Sequence, residues 1–178
     1  MEKGKQLHLK LLFQYQVMIK KINLLFLTFF KIGNIKYSPG TIASLFTCIL
    51  FLILNNFTTI TIIFLFTFLI FIYSFVAIKN SYEEFDSEDP QEIVIDEVVG
   101  QMLTLIAIPI YETLYPIPNI YYCILAFILF RLFDIWKPSL VGYVDKNVDG
   151  ALGIMLDDLI AGMFTIISLS ILFFFIGG

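Results

Sequence analysis

The stretch Arg131 to Gly162, RLFDIWKPSLVGYVDKNVDGALGIMLDDLIAG, decides how the rest of the chain is read. It sets Arg131, Asp134, Lys137, Asp145, Lys146, Asp149, Asp157 and Asp158 between two long apolar segments. Charge is expensive in such surroundings and is kept there for a use. A solvated loop with charged helix ends explains Asp145 to Asp149 taken alone. It explains Asp157 and Asp158 less well, because Gly150 to Met155 precedes them and the uncharged run Leu159 to Gly178 follows.

The surrounding chain of 178 residues is 59% hydrophobic and 15% charged, with a mean hydropathy of +0.90. That is more apolar than one soluble core requires. The expected fold is all-α: a polytopic membrane helical bundle of about five hydrophobic helices, with a polar site at their cytoplasmic ends. A net charge of -4 offers no basic surface and excludes nucleic acid as a partner. Cys48 and Cys123 lie in apolar runs without metal-ligand or redox spacing and read as packing residues. His8, the single histidine, reads as a surface residue of the polar N-terminal segment.

Residues 1–32 form a basic amphipathic N-terminal segment. Seven of the eleven basic residues fall before Tyr37, which places this end in the cytoplasm. Leu24 to Phe30 resembles a signal-peptide core but lacks a cleavage site, so it is expected to stay as an interfacial helix. The 42 uncharged residues between Lys36 and Lys79 span roughly 63 Å as helix, enough for two crossings. Asn55-Asn56 is read as the turn of this hairpin, between about Thr41 to Leu54 and Phe57 to Ile78. Ser38 is the expected N-cap, with Pro39 at the first helical position. Free N–H groups at Gly40 and Thr41 can also hold a phosphate oxygen.

Glu83 to Glu92 is an acidic connection. A third span is expected from Ile93 to about Tyr111, a fourth from Asn119 to Trp136 ended by Pro138, and a fifth from Leu152 to Ile176. Helical spacing puts Asp96 and Gly100 on one face, where a neighbouring helix can approach the carboxylate. With the N-terminus inside, five spans put Gly178 outside. They also bring Gly40 and Thr41, Asp96 and Glu97, Arg131, Asp134 and Lys137, and Asp157 and Asp158 to one level.

Several carboxylates without histidine or thiolate suit a hard divalent cation, foremost Mg²⁺. Arg131 and Lys137, one turn either side of Asp134, add positive charge for an anion. This is equipment for phosphoryl transfer. Arg131, Asp134 and Lys137 alone fit a structural ion pair at a helix end equally well.

The motifs SPGT at Ser38 to Thr41, IVIDEVVG at Ile93 to Gly100, FRLFDIWKP at Phe130 to Pro138 and VDKNVDGALGIMLDDLIAG at Val144 to Gly162 resemble those of the bacterial phosphatidylglycerophosphatase A family. The resemblance covers about Gly33 to the end, so 33–178 reads as one membrane domain. It implies a multi-pass protein of the bacterial cytoplasmic membrane, its site facing the cytoplasm, acting on a phospholipid in the bilayer. The implied reaction is Mg²⁺-dependent hydrolysis of phosphatidylglycerophosphate. It implies metal or catalytic roles for Asp96, Glu97, Asp134, Asp157 and Asp158, with Arg131 and Lys137 near the phosphate. Leu140 and Ala151 depart from the pattern, and about Met1 to Lys21 lies outside it.

Cys-x5-Arg and DxD phosphatase motifs are absent, and attack by water is favoured over a covalent phospho-aspartate. Two rivals differ in class. A CDP-alcohol phosphotransferase would share Asp149-Gly150, but Leu152-Gly153 and Ala161 break its motif. A small transporter or channel would set its acids near mid-membrane rather than at one level.

Overall fold

The computed structural model describes residues 2–81, 84–85 and 90–177. Among the described residues there is no strand. The helices are α1 (Glu2–Leu27), α2 (Pro39–Phe57), α3 (Ile60–Ser81), α4 (Ile95–Ile106), α5 (Ile108–Leu114), α6 (Asn119–Trp136), α7 (Leu140–Asn147) and α8 (Gly150–Gly177), with a 3-10 turn at Ile32–Asn34. Five segments are long and apolar enough to cross a membrane: Pro39–Phe57, Ile60–Ser81, Ile95–Leu114, Asn119–Trp136 and Gly150–Phe175. These are the five spans the sequence predicts.

Their boundaries follow local chemistry that in places differs from the sequence expectation. Pro39 opens α2 as predicted, where its missing N–H would have no intrahelical acceptor anyway. Ser38 precedes it in left-handed backbone (φ 47°, ψ 55°), but its hydroxyl makes no capping hydrogen bond, so the expected side-chain cap is absent. The hairpin turns at Thr58 rather than at Asn55-Asn56. Asn56 donates from Nδ2 to the Leu52 carbonyl at 2.6 Å, which satisfies its amide inside the last turn of α2. Extended backbone at Thr58 (φ -146°) then ends the helix.

The third span is not one helix but two, α4 and α5, meeting at Ala107. Pro109 lacks the N–H that would continue the ladder. The stretch read as a loop after Pro138 contains α7, whose Val141 and Val144 are buried. The predicted helix at Leu24 to Phe30 belongs to the much longer α1, which stops at Leu27, and Phe29, Phe30 and Lys31 follow in left-handed backbone. Of the acidic connection at 83–92, residues 83 and 86–89 lie outside the described residues, as does Gly178. Glu84 pairs with Lys20 at 2.7 Å.

Helix α4 is the hub, packed against α2, α3, α6 and α8. In hydrocarbon, close packing holds helices together more than exclusion of water does, so small residues at crossings matter. The α4–α8 crossing shows this. A Cβ at Gly100 would stand 2.7 Å from the Asp158 carbonyl oxygen, and one at Gly162 would stand 2.9 Å from the Gly100 carbonyl oxygen. The predicted Asp96–Gly100 face is therefore the one against which α8 packs.

At the opposite end Tyr111, Tyr122 and Phe173 cluster, and the Tyr122 hydroxyl donates to the Tyr115 carbonyl at 2.5 Å. Cys48 and Cys123 are both free and buried, the Cys48 thiol 4.0 Å from the Cys123 carbonyl oxygen. Phe64, Phe66, Phe68 and Leu69 on α3 are exposed, as suits a lipid-facing surface.

Candidate active site

Helices α2, α4 and α8 run in one direction through the bundle, and α3 and α6 run in the other. The starts of α2 and α4, the first turns of α8 and the end of α6 therefore meet at one end. There they enclose a cavity of about 430 Å³. Gly40, Thr41, Asp96, Glu97, Arg131, Asp134, Lys137, Asp157 and Asp158 all line it, so the structure brings together every site residue singled out in the sequence.

Helix α2 contributes backbone. Its first turn leaves the N–H groups of Gly40 and Thr41 without intrahelical acceptors. Gly40 is buried against α4, and a Cβ there would overlap the Glu97 carboxylate and stand 3.3 Å from Arg131 Nη1. Helix α4 contributes Asp96 and Glu97 in its first turn, and α8 contributes Asp158, which is 3% exposed. One carboxylate oxygen from each of these three acids lies within 4.8 Å of the others. Asp157 does not join this group. Its Oδ2 receives a hydrogen bond from Lys137 Nζ at 2.9 Å, and its Oδ1 receives one from the Asp158 N–H at 3.0 Å.

The two cations separate as well. Arg131 pairs with Asp134 and stands 3.7 Å from Glu97 Oε1. Nη1 carries both charge contacts, and Nε is buried without a hydrogen-bond partner. Lys137 was expected to flank Asp134 along α6, but it ends that helix in left-handed backbone (φ 48°, ψ 54°). That turn carries the side chain away, and Nζ pairs with Asp157 and with Asp145 on α7. Burial by itself lowers the Lys137 pKa, but the hydrogen bonds to Asp145 and Asp157 outweigh it and hold the ammonium above its ordinary value.

Asp145 is the partner the sequence reading missed, since it was taken for a solvated loop residue. The signal was there: Val141, Val144 and Val148 recur at helical spacing around it. Lys36 and Gln91 also line the cavity unforeseen. Below it Ser44, Thr47, Gln101, Thr104 and Thr165 are buried, with the three threonines and Ser44 satisfied by carbonyls of their own helices.

The donors fit a hard divalent cation. Like charges at 4.8 Å repel by about 3.5 kcal/mol per pair at an effective dielectric of 20, so three such carboxylates need a compensating charge. Asp96 Oδ1 and Glu97 Oε2 are buried without hydrogen-bond partners, which leaves both oxygens available as ligands. All candidate donors are oxygens, which Mg²⁺ prefers. Five acids against Lys36, Arg131 and Lys137 leave the cavity lining with a formal charge of -2, which would repel a phosphate until a divalent cation is bound.

The chain is similar to a known family and to several named relatives. Residues 25–173 match the family described as Phosphatidylglycerophosphatase A. A Haemophilus influenzae protein of that name is 34% identical over 135 residues, covering 76% of this chain and 78% of its own. The Escherichia coli protein of that name is 38% identical over 86 residues, 48% of this chain and 44% of its own. A Bacteroides thetaiotaomicron protein bearing the name "Putative phosphatidylinositol-3-phosphatase" is 34% identical over 158 residues, 84% of this chain and 92% of its own. No solved structure matches the chain.

Proposed function

Because the chain belongs to the phosphatidylglycerophosphatase A family, we propose that it hydrolyses the terminal phosphate monoester of phosphatidylglycerophosphate to phosphatidylglycerol and inorganic phosphate. The observation that carries this reading is the single cavity in which Asp96, Glu97 and Asp158 face Arg131 and the start of α2. Water adds to phosphorus, the phosphorus–oxygen bond to the glycerol breaks, and the proton released by water ends on the departing glycerol oxygen.

Asp96, Glu97 and Asp158 would hold Mg²⁺, which when bound neutralises phosphate charge and makes water a better nucleophile. The rest falls to the chain's own groups. Arg131, paired with Asp134 through Nη1 but with Nε buried and without a hydrogen-bond partner, offers a donor to the phosphate oxygens. The N–H groups of Gly40 and Thr41 offer two more at the positive end of α2. Asp134 restrains Arg131 from the side, and Lys137 fixes Asp157 next to the three-carboxylate group. None of these donors must reorganise as charge moves onto the phosphate oxygens, which is the condition for efficient electrostatic catalysis.

The five spans make this a membrane protein with a lipid substrate within reach. Lys31 and Lys36 lie in the segment leading into the site end, with five more lysines before them. By the bias of basic residues toward the inside, the proposed location is the bacterial cytoplasmic membrane with the site facing the cytoplasm. The Bacteroides relative favours a second substrate, phosphatidylinositol 3-phosphate, also a monoester on a lipid headgroup. Purified protein is assayed for phosphate release from both lipids, with Mg²⁺ and with EDTA. Release from phosphatidylglycerophosphate only with Mg²⁺ is expected; release from neither lipid overturns the reading.

A further inference from the structure

A second polar hollow, of about 390 Å³, adjoins the acidic cavity. Gly33, Asn34, Lys36, Pro39, Gln91 and Glu92 line it, and Lys36, Pro39 and Gln91 line both. The two are contiguous compartments with different electrostatics. The first is strongly acidic, whereas the second sets one lysine against one glutamate. Arg131 and Lys137 are each engaged by carboxylates. Among the described residues Lys36 makes no ion pair, and its ammonium lies 5.7 Å from the centre of the Tyr37 ring.

The loop forming this hollow is held at a conformational cost. Phe29, Phe30, Lys31 and Ser38 all have positive φ, a conformation that costs about 1–2 kcal/mol per residue with a side chain. Such strain persists only where surrounding contacts impose it. Gly33 fits because its α-carbon faces the Glu92 carbonyl, where a Cβ would overlap. The same loop exposes Phe30, Ile35 and Tyr37. Exposed aromatics beside lysines are characteristic of the membrane–water interface. The second hollow therefore lies between the acidic cavity and a surface suited to lipid headgroups.

We infer that this hollow, through Lys36, receives the internal phosphodiester of the substrate while the terminal monoester occupies the acidic cavity. The inference rests on the phosphatase reading above and adds a selectivity element to it: a lipid carrying both a monoester and a diester fills both compartments. Lys36 acts as a specificity residue and touches no reacting atom.

The products separate the two compartments, since phosphatidylglycerol carries only the diester and inorganic phosphate only the group released. Product inhibition is measured in mixed micelles for wild type, Lys36→Met and Lys36→Arg, with thermal melting as the folding check. The inhibition constant of phosphatidylglycerol should rise about tenfold in Lys36→Met, the loss expected for one charge-assisted contact at an exposed site, and recover in Lys36→Arg. That of inorganic phosphate should stay unchanged. No inhibition by phosphatidylglycerol, no change in Lys36→Met, or an equal rise for both products would overturn the assignment while leaving the phosphatase reading intact. Wild-type protein that releases no phosphate would sink both.

Discussion

Gly40 and Glu97 meet so closely that a methyl group on residue 40 would occupy the space of the Glu97 carboxylate, with Arg131 Nη1 3.3 Å away. Gly40→Ala therefore has to push Glu97 or Arg131 aside. A misplacement of about 1 Å at a site of this kind lowers rate by about two orders of magnitude. The melting temperature should fall too, since overpacking typically costs about 1–3 kcal/mol. Turnover and melting on one detergent-solubilised preparation check this, and unchanged turnover would show that Glu97 is not held in place by α2.

Asp158→Asn replaces one of the three grouped carboxylates with a neutral amide. The protein should remain inserted in the membrane while the Mg²⁺ needed for half-maximal turnover rises by about tenfold or more, given that even outer-shell partners of a metal are worth 10–100-fold. A readout independent of turnover is available, because a cation that binds only the folded state raises the melting temperature. Mg²⁺ should raise it in wild type and do so much less in Asp158→Asn. An equal shift in both would remove Asp158 from the group.

Lys137 and its two acids separate local stability from chemistry. Lys137→Met leaves the buried Asp157 without its cation, and the resulting misplacement beside the grouped carboxylates should lower turnover by about two orders of magnitude. Asp145→Asn removes only the outer partner, a pair of the kind worth about 0–1 kcal/mol, and should leave turnover nearly intact. The raised pKa of Lys137 fixes the sign with pH. Its stabilising contribution is complete below the ordinary lysine value of 10.5 and is lost as pH rises through the higher folded value. The stability gap between wild type and Lys137→Met should thus be flat from neutral pH to about 10 and narrow above. A gap that closes between pH 6 and 8 would contradict it.

Gly100→Ala tests the α4–α8 crossing. The new Cβ would meet the Asp158 carbonyl oxygen at 2.7 Å and Phe130 at 2.8 Å, so the helices must part. A destabilisation of about 1–3 kcal/mol is expected, together with a raised Mg²⁺ requirement, because α4 and α8 carry the grouped carboxylates. Lost stability with an unaltered Mg²⁺ response would separate the crossing from the site.

Orientation is open to direct measurement. Five crossings would put the two ends of the chain on opposite sides, and the bias of lysines toward the inside predicts an N-terminus in the cytoplasm. A reporter fused at the C-terminus should score outside and one at the N-terminus inside. Two reporters on the same side would contradict an odd number of crossings.

The spans were legible because forty-two residues without a charge admit few other readings in a chain this apolar, and the acids at their ends follow from counting crossings. Partnerships were less legible. Spacing along α6 places Lys137 one turn from Asp134, but spacing says nothing about the left-handed turn that redirects Lys137 to α7 and α8. Asn55-Asn56 misled because a polar pair usually marks a turn, whereas Asn56 satisfies its amide on Leu52 within the helix. The hidden contacts share one cause: they depend on where a backbone bends, and single side chains announce that poorly.

The distribution of the grouped carboxylates over α4 and α8 bears on biosynthesis. A ribosome delivers Asp96 and Glu97 to the bilayer well before Arg131, and delivers Asp157 and Asp158 last of all. Until α6 is inserted the first two acids lack the guanidinium, and until α8 is inserted they lack the third carboxylate. A chain ending before residue 157 would thus lack Asp158, and the group of three carboxylates over α4 and α8 could not form.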